Sequence, residues 1–74
     1  MANIEVKKVE EQLHRRLLFS VRVNADTNQM EFPISVQDQG SATANESAVL
    51  SSTLAFTEEL EAAARLRLGA ATHR

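Results

Sequence analysis

The amino-acid sequence predicts an α+β fold: a small antiparallel sheet of three or four strands in a meander, with one C-terminal helix packed on its apolar face. Three observations lead there. Two stretches of alternating apolar residues flank a polar turn, from Arg16 to Gln37. A third alternating stretch runs from Ala48 to Phe56. Beyond Thr57 the chain turns rich in Glu, Ala, Leu and Arg, which are strong helix formers.

The N-terminal stretch is the first element. "NIEV" and the residues after it read as a strand over about 3–9 that returns near His14 to complete the meander. Val6, Val9, Leu13 and Leu17 also stand at helical spacing, so a helix is the competing reading.

The hairpin comes next, with strands over about 16–24 and 29–37. Leu17, Phe19, Val21 and Val23 alternate with Leu18, Ser20 and Arg22, and Met30, Phe32, Ile34 and Val36 alternate with Glu31, Pro33 and Ser35. Period-two alternation of β-branched and aromatic residues is a strand signal. Between them "NADTNQ" holds Asn24, Asp26 and Asn28, whose side chains favour turns. Pairing Asn24 with Gln29 sets Val23 against Met30, Val21 against Phe32, Phe19 against Ile34 and Leu17 against Val36. A slip by one residue would undo this match, and the register also puts Arg22 opposite Glu31. Pro33 lacks an N–H, which predicts an edge strand or a bulge there.

"DQGSATANES", Asp38 to Ser47, is small and polar and reads as a loop. The stretch from Ala48 onward then has two readings. As one helix from Thr43 to Leu68, with Thr43 and Glu46 as a capping box, its large apolar residues scatter around the axis. As a strand over about 47–56, they alternate. Thr57 then caps a helix over about 57–69, Glu58 and Glu59 occupy its first turn, and Gly69 stops it. Strand followed by helix is the preferred reading, with 70–74 as a tail. The expected core is Phe19, Val21, Val23, Phe32, Ile34, Val36, Leu50, Leu54, Phe56, Leu60 and Ala64.

Composition narrows the function. The chain has 74 residues, no cysteine and a formal charge of −2. That is enough for one domain and gives it a thin core with no disulfide to staple it. Residues 1–37 carry five basic and five acidic groups, and residues 38–74 carry three and five. Neither half has the basic excess usual in nucleic-acid binders. No apolar run approaches a membrane span, and the charged N-terminus does not resemble a signal peptide, so a cytoplasmic protein is expected.

Motifs for chemistry are absent. His14 and His73 are the only histidines, and a metal site needs several converging ligands. Glu58, Glu59 and Glu61 cluster where carboxylates complement a helix dipole. Ser51, Ser52 and Thr53 lack a nucleophile-elbow motif, and two glycines cannot build a phosphate-cradling loop. No catalytic residue, metal site or cofactor is expected, and the chain is not read as an enzyme. Leu18 interrupts a polar strand face, Leu66 lies off the inward face of its helix, and Pro33 marks a strand edge. Leu18, Pro33 and Leu66 are therefore the candidate interface residues of a small interaction module, self-associating as a homodimer or binding another protein through a sheet edge. The second reading is weak nucleic-acid binding through a basic patch of Arg15, Arg16 and Arg22. All three phenylalanines are assigned to inward faces, which removes the stacking platform that single-strand readers use.

Overall fold

The computed structural model describes residues 2–72, with side chains to residue 69. Three antiparallel strands, β1 (Asn3–Gln12), β2 (Arg16–Asn24) and β3 (Gln29–Gln37), form one sheet in the order β1-β2-β3. A single helix, α1 (Ala42–Thr72), follows and lies against the sheet, chiefly along β3. The fold is the α+β meander with one C-terminal helix that the alternation predicts. The N-terminal stretch is a strand, three residues longer than expected.

The β2–β3 pairing is the register derived from the sequence, with Leu17 against Val36, Phe19 against Ile34, Val21 against Phe32 and Val23 against Met30. The four-residue loop between them closes with the Ala25 N–H donating to the Asn28 carbonyl at 2.8 Å. Pro33 sits in an edge strand, where a residue without an N–H is tolerated. In β1 the pairing shifts between Lys8 and Glu10, leaving Val9 as the extra residue of a bulge.

The β1–β2 connection is tighter. Gln12 pairs with Arg16, and between them His14 and Arg15 adopt φ of 63° and 60°. Left-handed backbone costs a side-chain-bearing residue roughly 1–2 kcal/mol, so this turn holds strain that the flanking ladder maintains.

One expectation is overturned. Residues 47–56 are not a strand, and Thr57 does not begin a helix: both lie inside α1, which is continuous for 31 residues. Gly69 is likewise inside the helix rather than its stop. The cap is Ser41, whose Oγ accepts the Ala44 N–H at 3.1 Å, in place of the Thr43–Glu46 box. Thr57 instead donates its hydroxyl back to the Leu54 carbonyl at 3.0 Å.

The physical reason lies in which helix residues meet the sheet. Asn45, Ala48, Val49, Ser52 and Thr53 are buried or half-buried, and they recur at helical spacing. Most are small or polar, so the inward stripe is nearly invisible to a search for large apolar residues. Their small size lets the helix settle close to the strands. Thr53 satisfies its buried hydroxyl on the Val49 carbonyl at 2.9 Å. The low propensity of Ser51, Ser52 and Thr53 amounts to about 0.5 kcal/mol each, which tertiary packing overrides.

The core is correspondingly different from the expected one. Leu17, Phe19, Val21, Val36 and Val49 are buried, with Val6, Val23, Phe32, Ile34 and Ala48 packed around them. Leu17 and Val49 are core residues that the expected set omitted. Leu50, Leu54, Phe56, Leu60 and Ala64 belonged to that set and are exposed.

Two measurements check this packing. Val49→Ala should lower unfolding free energy by about 2 kcal/mol, because its side chain is fully buried. Leu54→Ala should change it by less than about 0.5 kcal/mol, since Leu54 is exposed. Urea denaturation reads both, and equal losses would contradict the helix orientation. His14→Gly should be neutral or stabilising in the same assay, because glycine adopts the left-handed backbone without penalty.

Candidate functional site

Three surfaces could carry a function. The first is the outer face of the sheet, which no helix covers. Its residues alternate with the core set along each strand and include Leu18, Ser20, Arg22, Glu31 and Pro33. Arg22 is flanked in register by Glu5 on one side and Glu31 on the other. Its guanidinium pairs with Glu5 at 3.7 Å, while the Glu31 carboxylate accepts the Ser20 hydroxyl at 2.6 Å. Arg16 donates from Nε to Ser35 Oγ at 3.2 Å and from Nη2 to the Ser35 carbonyl at 3.0 Å. Arg15 stands in the strained turn, with its carbonyl accepting the Asp38 N–H at 2.7 Å. The three arginines therefore do not gather into one patch. Arg16 and Arg22 share a strand face six residues apart, about 20 Å, and Arg22 lies between carboxylates.

The candidate interface residues separate in the same way. Leu18 is half-buried on the outer face, with Glu10 and Ser35 as cross-strand neighbours. Pro33 is exposed on that same face, opposite Ser20. Leu66 is on the far part of α1 and is 74% exposed. Leu18 and Pro33 share a face; Leu66 is on another element altogether.

The second surface is the start of α1, beside a cleft lined by Lys8, Phe19, Asp38 and Asn45. Asp38 Oδ1 accepts the Gly40 N–H at 2.9 Å and the Asn45 side-chain amide at 3.3 Å. Asn45 Oδ1 in turn accepts the Gln39 N–H at 2.6 Å. Gly40, at φ 95°, makes the turn that aims these groups at one another. The Gly40 N–H first, then the Asn45 amide and the cations of Arg15 and Lys8, hold the Asp38 carboxyl below its ordinary value. The negative charge at this helix start is thus supplied by the chain itself, and the network reads as a structural latch between β3 and α1. Among the described residues, no group of three or more His, Asp and Glu side chains is placed to hold a metal ion. His14 lies in the strained turn, and His73 lies outside the described residues.

The third surface is the C-terminal part of α1. The helix is about 46 Å long and the strands about 30 Å, so α1 runs past the sheet. The longest dimension of the molecule, 51 Å, reflects this overhang. Phe56 packs on Phe32, with ring centroids 5.6 Å apart, and is the last aromatic contact with the strands. From there on, Leu60, Leu66 and Leu68 are 47%, 74% and 64% exposed. Met30, opposite Val23 at the same end of the sheet, and Ile4, on the other side of Val23, are also exposed. Leu60, Leu66, Leu68, Met30 and Ile4 thus lie toward one end of the molecule, and Leu13, 81% exposed, lies toward the other. Apart from Leu66, a candidate interface residue, the sequence reading missed this surface because it placed Phe56, Leu60 and Ala64 in the core. Among the described residues no helix is long and apolar enough to cross a membrane.

The latch has a pH signature. A carboxyl held below its unfolded-state value contributes stability above that value, about 3.9, and loses it as pH falls through the folded-state value. Stability should therefore decline below about pH 4, and Asp38→Asn should be less stable at pH 7 with a shallower decline in acid. Thermal melts across a pH series test this; parallel curves for the two proteins would show that Asp38 holds no such role. Comparison with known proteins finds no matching family model, no matching curated protein and no matching solved structure.

Proposed function

We propose that this protein is a non-enzymatic interaction module that acts by self-association. The observation that carries this reading is the last part of α1, past Phe56, where Leu60, Leu66 and Leu68 are exposed. Single exposed leucines are ordinary, but several along one projecting element mark an interface. A core of five buried apolar residues among those described and the absence of cysteine add a second support, because association buries apolar surface that the monomer leaves in water.

Both sheet edges are guarded against strand addition. Pro33 interrupts β3, and β1 carries a bulge at Val9 with Glu5, Lys7, Lys8, Glu10 and Glu11 along it. These are the devices by which edge strands avoid pairing. The helix surface is therefore the better candidate than an edge. The basic-patch reading has less support, since Arg22 is flanked by Glu5 and Glu31.

The protein should be a dimer at micromolar concentration, and its melting temperature should rise with protein concentration by mass action. Sedimentation over a dilution series and melts at several concentrations measure both. A monomer at every concentration would end this reading. Steeply salt-dependent binding of a single-stranded oligonucleotide would turn attention to the arginines instead.

A further inference from the structure

Consecutive residues at positive φ are the geometry of primed hairpin turns, which Asn-Gly, Asp-Gly and Gly-Gly adopt readily. In the β1–β2 turn the two positions are His14 and Arg15, at φ 63° and 60°. Backbone strain of this kind persists where the surrounding structure over-determines it. At this turn the surrounding structure is the exit of β3. The His14 carbonyl accepts Gln37 Nε2 at 3.1 Å, and the Arg15 carbonyl accepts the Asp38 N–H at 2.7 Å. Arg16 pairs with Gln37, so the second bond is one rung beyond the last pair of the β2–β3 ladder. Asp38 is thereby held from two sides. Its backbone N–H is tied to the turn, and its carboxylate accepts the Gly40 N–H and the Asn45 side-chain amide. Asp38 is the joint between the β1–β2 turn and the start of α1.

The start of α1 leans on this joint because it has little apolar packing of its own. Its inward residues are Asn45 and Ala48, an amide and a methyl group, which bury little apolar surface. The larger contacts come later along the helix, at Val49 and Phe56. We propose that the His14–Arg15 turn is a clasp on α1. Its left-handed backbone keeps Asp38 in place. A turn relaxed to ordinary backbone releases Asp38 and the first two turns of the helix while the sheet stays paired. Openings smaller than the whole domain occur where buried apolar contacts are few. The cleft lined by Lys8, Phe19, Asp38 and Asn45 lies at the clasp, so release widens it and uncovers Phe19. The clasp works within one chain and does not depend on self-association.

Hydrogen exchange reads the clasp amide by amide. His14→Val puts a β-branched residue where φ is positive and should speed exchange of the Asn45 to Val49 amides at least about tenfold. The Phe19 and Val21 amides of β2 should exchange as in wild type. Gln37→Ala removes the bond to the His14 carbonyl without touching the backbone, and should speed the Asn45 to Val49 amides about threefold. His14→Gly keeps the left-handed turn, so these amides should exchange as in wild type or more slowly. Faster exchange spread equally over helix and sheet, or confined to residues 13–16, would overturn the clasp. If His14→Val does not fold, Gln37→Ala decides alone: wild-type exchange at Asn45 to Val49 in that variant would overturn it.

Discussion

A three-stranded sheet has one apolar face, and here one helix must cover it. Val21 and Val49, both fully buried, mark where the layers lock. Val49 reaches the strands because its neighbours on the inward stripe, Ala48, Ser52 and Thr53, are small. Larger residues there would hold the helix off the sheet and leave Val21 in contact with water. The Asp38–Asn45 latch has meaning only in this frame. It sets the angle at which the chain leaves β3, and a helix leaving at that angle runs back along β3 with Val49 and Phe56 turned toward the strands.

The same contact explains the shape. The inward stripe ends where the strands end, but the helix continues, because Glu, Ala, Leu and Arg sustain it without tertiary support and the Glu61–Arg65 pair adds a little. A long helix of good formers persists over its last turns. The result is an element with two duties divided along its length. Small residues on its first half close the core. Beyond Phe56 its large apolar residues, Leu60, Leu66 and Leu68, are exposed.

The outer sheet face has a different character. Glu5, Arg22 and Glu31 alternate in sign across the three strands, and Ser20 and Ser35 fill in with hydrogen bonds. Cross-strand pairs of this sort support the ladder and keep the face solvated, at a few tenths of a kcal/mol to about 1 kcal/mol each. The local balance of charge leaves that face without a strong field, in keeping with the overall formal charge of −2.

By itself the sequence determined the α+β class and the β2–β3 register, because a period of two and a turn of fixed length admit one pairing, and it narrowed the strand bearing Pro33 to an edge or a bulge. It did not determine the state of residues 47–56. There the alternation of Leu50, Leu54 and Phe56 with Val49, Ser51, Thr53 and Ala55 satisfies a strand template, while the true inward stripe of Asn45, Val49, Ser52 and Thr53 is mostly polar. Only the tertiary structure decided between them, since small and hydroxyl-bearing residues become inward residues when a sheet lies close enough to bury them and their own helix accepts their hydrogen bonds. The candidate site was hidden for the same reason. Leu60 looks like a core residue until the strands prove too short to reach it, and the length of a sheet relative to the helix above it is a property of the assembled layers.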